Sequence, residues 1–125
     1  MVDASAAFAA AVAPAGFDRF DGDVPVAPPL LWPEVRSALY EAASRGEISS
    51  RAARESLRAI ESGPIRPRTH ARLGRRAWEI ADRLGWMKTY DAEYLALAEL
   101  LGCRILTLDS GIRDAARRLA IAVTR

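Results

Sequence analysis

The stretch that most constrains the fold of this chain is Thr89–Asp109, a helical pattern followed at once by a strand pattern. A helix is predicted because apolar residues recur at the i, i+3, i+4 and i+7 spacing of one helical face, at Tyr94, Leu97, Ala98 and Leu101. Gly102 is predicted to end this helix, and Cys103–Leu108 to form a short buried strand. One acid, Asp91, therefore starts a helix and a second acid ends the next strand.

The rest of the chain alternates helical patterns with short extended runs. Helices are predicted at about 4–12, 33–45, 49–62, 69–84 and 110–119, and strands at 1–2, 24–27, 64–67 and 120–123. This alternation favours an α/β fold with a short, mostly parallel central sheet and helices on both faces. A length of 125 residues suits a single domain, residues 1–125.

Few side chains outside the carboxylates can carry chemistry here. Cys103 is the one cysteine, which excludes an internal disulfide and a cysteine metal site, and a buried, inert thiol is expected. His70 is the one histidine, too few for a histidine zinc site or a Ser-His-Asp triad, and it is expected at an exposed helix start after Thr69. Neither a signal peptide nor an apolar run long enough for a membrane span is visible, so a cytoplasmic protein is expected.

Four acids are predicted to meet at one edge of the sheet. Asp3 and Asp109 each follow a strand, whereas Glu34 and Asp91 each lie in the first turn of a helix. In a parallel α/β sheet, strand carboxyl ends and helix amino ends share the edge at which ligands bind. Each acid alone could equally be a helix cap or a partner of a helix dipole, a contribution of about 0.3–1 kcal/mol.

Taken together, four converging carboxylates favour a metal site. They would repel one another unless a cation offset their charge, and oxygen ligands suit Mg²⁺ or Mn²⁺ better than Zn²⁺. Such an ion can activate water for attack on a phosphodiester. Setting these four aside leaves 12 acidic against 18 basic residues, a surplus of six that suits a polyanionic partner.

The chain resembles the PIN domain, and specifically the VapC-type ribonuclease toxins of bacterial toxin–antitoxin pairs. The resemblance covers nearly the whole chain and rests on four motifs: Val2–Ser5, Pro33–Val35, Tyr90–Ala98 and Leu106–Asp109. It implies a three-layer α/β/α sandwich and a Mg²⁺- or Mn²⁺-dependent endoribonuclease acting on RNA of the tRNA or rRNA class. It also implies a homodimer and inhibition by a cognate VapB-type antitoxin.

By the same resemblance, catalysis and metal binding would fall to the four acids, Asp3, Glu34, Asp91 and Asp109. Ser5 and Thr107 would be supporting polar residues beside them, although helix capping and a strand-end hydroxyl explain these two equally well. Glu93, on the opposite side of its helix from Asp91, is expected to face solvent. Asp114 is not expected to be a ligand.

Arginines and tryptophans are the candidates for binding larger partners. RNA phosphates would be contacted by arginines near the site, since the guanidinium fork binds two oxygens at once: Arg36, Arg113 and Arg117. Solvated helix faces are the simpler interpretation for each of them. Trp32 and Trp86 are expected to pack in the core, whereas Trp78 lies off the apolar stripe and is expected to be exposed.

Two other functions remain open from the sequence. One is a PIN-like RNA-processing nuclease that has no antitoxin. The other is a binding module with a degenerate acidic pocket, either PIN-like or resembling a receiver domain. A receiver needs a lysine after a late strand, and Lys88, the one lysine, precedes the Asp91 helix instead.

Overall fold

The computed structural model describes residues 1–20 and 22–124. The helices are α1 Ala4–Val12, a short 3₁₀ helix Gly16–Phe20, α2 Leu31–Ser44, α3 Ser50–Ser62, α4 Leu73–Leu84, α5 Tyr90–Leu101 and α6 Ser110–Arg118. The strands are β1 Val26–Ala27, β2 Arg66–Pro67, β3 Ile105–Leu106 and β4 Val123–Thr124. Helices and short parallel strands alternate along the chain, which agrees with the predicted α/β class.

The strands form two parallel pairs. Strand β1 pairs with β2 and β3 with β4, and a parallel bridge joins Val2 to Leu106. The amide of Val2 also donates to the carbonyl of Val26 at 2.9 Å, and the amide of Leu106 donates to the carbonyl of Met1 at 2.7 Å. The first residues of the chain therefore lie between the two strand pairs and hydrogen-bond to both.

Helix α5 lies at the centre of the core. Five consecutive residues, Tyr94–Ala98, are buried, so the helix is covered on most sides rather than along one stripe. At Gly102 the backbone enters the left-handed region (φ 63°), and its amide donates back to the carbonyls of Ala98 and Glu99. The predicted end of the helix is confirmed. Helix α4 packs on α5, and a salt bridge from Arg76 to Glu99 joins their surfaces.

Several predicted boundaries differ from the observed ones. Helix α4 begins at Leu73 instead of near Thr69, because His70 folds into a turn: its Nδ1 accepts from the amide of Arg72 at 3.1 Å. The predicted last strand at 120–123 is wrong at its start, since Ala120 adopts a left-handed conformation (φ 58°) that an extended strand cannot contain. Strands β1 and β3 are shorter than predicted. In the described ranges, no helix is long and apolar enough to cross a bilayer.

Candidate active site

Asp3 is the most enclosed of the four predicted acids, with 1% of its surface exposed. Its Oδ1 accepts from the amide of Ala6 at 2.9 Å, which caps helix α1. The hydroxyl of Ser5 donates to both carboxylate oxygens, at 2.8 and 3.0 Å, and that of Thr107 donates to Oδ2 at 2.6 Å. Asp3 is therefore both a helix cap and a carboxylate fixed from three directions.

The hydroxyls of Ser5 and Thr107 connect Asp3 to the chain segment that carries Asp109. Ser5 Oγ accepts from the amide of Leu108 at 2.9 Å, and Thr107 Oγ1 accepts from the amide of Asp109 at 3.0 Å. Each hydroxyl thus donates to Asp3 and accepts from a backbone amide at Leu108 or Asp109. The segment after β3 is held against the start of α1.

Asp109 and Asp91 lie at more open positions. Asp109 caps helix α6, because its Oδ1 accepts from the amide of Ile112 at 2.8 Å. Asp91 stands in the first turn of α5 and is exposed. Its carboxylate accepts no hydrogen bond from the residues that the structure describes.

Glu34 is half-buried in the first turn of α2 and is held by a side chain from another helix. The hydroxyl of Tyr94, on α5, donates a hydrogen bond to Glu34 Oε2. Tyr94 itself is 1% exposed. Helix α5, which carries Asp91, is therefore hydrogen-bonded through Tyr94 to Glu34 on α2.

Burial and repulsion between carboxylates raise the pKa of Asp3 and of Glu34. Burial raises the pKa of Asp3, although hydrogen bonds from Thr107, Ala6 and Ser5 oppose the rise and the charge of Asp109 adds to it. Burial is also the largest cause of the raised pKa of Glu34, against which the Tyr94 hydrogen bond acts, while Asp91 and Asp3 repel it further.

The same electrostatic coupling reaches Asp91. Although the residue as a whole is exposed, partial burial of the Asp91 carboxyl is the first cause of its raised pKa, followed by the charges of Asp109 and Asp3. The four acids thus come from four separate chain segments and lie close enough to repel one another. None of the four takes part in a salt bridge within the described ranges, so no cation there offsets their charge.

This charge distribution suits a hard cation. The available donors are carboxylate and hydroxyl oxygens, which are the ligands that Mg²⁺ and Mn²⁺ prefer. In the parts of the chain that are described, however, no three acidic, histidine or cysteine side chains are already arranged to hold an ion. Asp91 is exposed and its carboxylate accepts no hydrogen bond in those parts, so its side chain is free to rotate.

Two neighbouring acids differ in their relation to this site. Glu93 is half-buried and its charge raises the pKa of Glu34, so the expectation that it faces solvent is wrong. Opposite positions on α5 separate Glu93 from Asp91 only, whereas Glu34 approaches α5 from another helix. Asp114 is exposed and pairs with Arg117 at 3.0 Å.

The surface residues largely follow their predicted burial. Trp78 is 66% exposed, as predicted, and Trp32 and Trp86 are half-buried against the core. Arg36 is exposed and Arg113 half-buried. Cys103 is half-buried instead of buried, with its Sγ 3.7 Å from the amino-terminal nitrogen of Met1.

Tyr94 is the site residue that the sequence analysis missed. Its spacing alone predicts a place on the apolar stripe of α5. A signal was nevertheless present, because a buried tyrosine needs a partner for its hydroxyl and this one lies three residues after Asp91. The sequence did not indicate which acid that partner would be.

Comparisons with known proteins match this chain to PIN domains and to VapC ribonucleases. A family model described as "PIN domain" matches residues 1–118. The chain is 32% identical over 87 residues to the "VapC ribonuclease Mb0985" of Mycobacterium bovis and to "Ribonuclease VapC9" of Mycobacterium tuberculosis. Each alignment covers 70% of this chain and 66% of the relative, slightly less than two thirds of the relative's length.

Proposed function

Because the chain belongs to the PIN-domain family, we propose that it is a metal-dependent endoribonuclease of the VapC type, the toxin of a toxin–antitoxin pair. The observation that carries the proposal is the hydrogen bonding that brings carboxylates from separate chain segments together: Thr107 links Asp3 to Asp109, and Tyr94 links Glu34 to the helix of Asp91. The similarity to proteins named VapC ribonucleases supports the RNA substrate.

The four acids would hold Mg²⁺ or Mn²⁺. When bound, the ion supplies charge neutralisation at a phosphodiester and a water of lowered pKa. Asp3 contributes a carboxylate already fixed by two hydroxyls, so it loses little conformational freedom on binding an ion. The exposed Asp91 and Asp109 stand where a polymeric substrate can reach them.

The chain's own residues would also bind and orient RNA. Arg113 lies in α6, the helix that Asp109 caps, and Arg36 follows Glu34 by two residues in α2. Both are candidates for contacts to RNA phosphates near the acids. Arg117 is a further candidate, although its pairing with Asp114 must be exchanged for a phosphate contact.

The salt dependence of RNA binding tests the arginine contacts. Arg113→Ala should weaken binding of a noncleavable RNA and reduce the slope of log K against log [salt] by about one, because one phosphate contact is lost. Arg54→Ala, at an exposed position of α3, is the matched control. An unchanged slope in Arg113→Ala would remove this arginine from the RNA surface.

The fold and the partners extend the same proposal. We place the two strand pairs and the residues between them in one parallel sheet, the central layer of a three-layer α/β/α sandwich in a single domain. The active form would be a cytoplasmic homodimer that cuts RNA of the tRNA or rRNA class and is inhibited by a VapB-type antitoxin. The link across Val2 supports the continuous sheet.

Cleavage of bulk tRNA and rRNA tests the proposed activity. Purified protein should release discrete fragments with Mg²⁺ or Mn²⁺ and none with EDTA, and Asp91→Asn should abolish cleavage without unfolding the protein. Asp82→Asn, on the exposed side of α4, is the matched control and should cleave normally. Full metal-dependent activity in Asp91→Asn would contradict the four-acid site.

A further inference from the structure

Tyr94 is an unusual occupant of the core. Among the residues that the structure describes it is the largest fully buried side chain, and Leu95, Ala96 and Leu97 beside it are buried as well. A phenylalanine would fill the same space without requiring a polar partner. The phenol is instead satisfied by a single hydrogen bond, which it donates to Glu34 Oε2.

The position of Tyr94 on α5 relates this hydrogen bond to the acid cluster. Tyr94 follows Asp91 by three residues, so the two side chains lie on neighbouring positions of one helical face. Helix α5 therefore presents one acid directly and reaches a second through the tyrosine hydroxyl. Glu34 belongs to α2, and within the described ranges its carboxylate accepts a hydrogen bond from Tyr94 alone.

We propose that Tyr94 is a positioning residue for the metal site: its hydroxyl holds one oxygen of Glu34 and leaves the other oxygen for the cation. This inference rests on the proposed function, because it presumes that Glu34 is a metal ligand. Repulsion from Asp91, Asp3 and Glu93 would otherwise drive the flexible Glu34 side chain away from the other acids. Hydrogen bonds from such supporting residues commonly change metal affinity by about 10–100-fold.

A double-mutant cycle on metal binding isolates this role. The Mn²⁺ dissociation constant is measured by electron paramagnetic resonance for the native protein, Tyr94→Phe, Glu34→Ala and the double variant, without RNA. Tyr40→Phe is the matched control, because Tyr40 lies on α2 like Glu34 and is 76% exposed. Thermal unfolding of the metal-free proteins shows whether each variant is folded.

Tyr94→Phe is expected to weaken Mn²⁺ binding about tenfold in the native background and to have no further effect once Glu34 is alanine. The control should bind Mn²⁺ as the native protein does. A general packing defect would instead weaken binding equally in both backgrounds, and that result would overturn the proposal. So would an unchanged Mn²⁺ affinity in Tyr94→Phe.

The outcomes also separate this inference from the proposed function. If Glu34→Ala weakens Mn²⁺ binding but Tyr94→Phe does not, the positioning role is overturned and the metal site stands. If Glu34→Ala leaves Mn²⁺ affinity unchanged, Glu34 is not a ligand, and both the positioning role and the four-acid site fail.

Discussion

At the scale of single residues, Asp3 combines two tasks that are usually separate. It caps α1 through the amide of Ala6 and accepts hydroxyl hydrogens from Ser5 and Thr107. The alternative that Asp3 caps a helix is therefore confirmed, and this cap is compatible with a role for Asp3 in the candidate site. Capping orients the carboxylate, and the hydroxyls offset part of the cost of burying its charge.

Thr107→Val tests the contribution of one of these hydroxyls. The substitution keeps the side-chain shape but removes a donor to the buried Asp3 and the acceptor for the amide of Asp109. The free energy of unfolding should fall by about 1–3 kcal/mol, measured by urea denaturation. Thr124→Val, at an exposed position of β4, should change it by less than about 0.5 kcal/mol. Equal losses of unfolding free energy in the two variants would contradict a stabilising hydrogen bond from Thr107 to Asp3.

Asp91→Asn should reveal the electrostatic strain in the metal-free protein. The pKa of Asp91 is raised above its ordinary value of 3.8 in the folded state, so the folded protein holds this proton more tightly than the unfolded chain does. The resulting stabilisation is complete below pH 3.8 and is lost as the pH rises through the folded-state pKa. The variant should therefore be more stable than the native protein at pH 7.5, by at most about 1 kcal/mol because solvent screens the exposed carboxylate.

The pH dependence supplies the check on this second prediction. The advantage of Asp91→Asn in urea denaturation should shrink as the pH falls toward 4, and added Mn²⁺ should reverse it at pH 7.5. Asp82→Asn is the control on an exposed helix face. An advantage that does not change with pH would point to a cause other than charge.

At the scale of elements, α5 positions two of the four acids. The helix supplies Asp91, reaches Glu34 through Tyr94, and ends at a left-handed glycine. Because Tyr94–Ala98 are buried on most sides of the helix, a shift of α5 would be resisted by the core. The acid at its first turn is consequently set on a rigid support.

Two glycines on adjacent helices test where backbone freedom is needed. Gly102→Ala should destabilise the protein by about 1 kcal/mol, because alanine is strained at φ 63°. Gly74→Ala, within α4 with open space at its Cβ position, should stabilise the protein by about 0.8–1 kcal/mol because alanine has the higher helix propensity. Urea denaturation measures both, and destabilisation by both substitutions would contradict the assigned conformations.

The sequence could predict those elements whose signals are local. The end of α5 at Gly102 and the cap of α3 at Ser49 follow from the nature of one residue and its immediate neighbours. The α/β class follows from the alternation of patterns. The extent of the strands does not, because each has only two residues and is defined by a partner strand distant in sequence.

In the candidate site, too, features with a local sequence signal could be predicted, whereas features that depend on packing between helices could not. Edge geometry and the family resemblance together predict that the four acids converge, and their role in a metal site stays a prediction. The contact between Tyr94 and Glu34, and the approach of Glu93 to Glu34, depend on how α2 packs against α5. Helical periodicity within one element carries no information about that packing, which is why Glu93 was misplaced.

At the scale of the whole molecule, the first residues connect the two strand pairs. Val2 and Asp3 are buried, and their amides donate to the carbonyls of Val26 and Leu106 at 2.9 and 3.2 Å. Chain ends commonly fray, but these amides are enclosed between two sets of strands. Loss of these hydrogen bonds would separate the two strand pairs from each other. It would also separate Asp3 from Thr107.

Amide hydrogen exchange tests this central position. The amides of Val2 and Asp3 should exchange as slowly as that of Leu97 in the middle of α5, because all three require global unfolding to open. The exposed Val24 should exchange quickly and serves as the internal reference. Fast exchange at Val2 and Asp3 would show that the two strand pairs separate without unfolding of the core.

The link between the first residues and β3 also has a consequence for biosynthesis. A ribosome releases residues 1–3 long before it has made Leu106, Thr107 and Asp109, with which the beginning of the chain hydrogen-bonds. Until that last segment emerges from the exit tunnel, Asp3 has neither its threonine donor nor its acidic neighbour. A nascent chain that stops before Thr107 therefore lacks the assembled acid cluster, which can form only after residues 106–109 have left the ribosome.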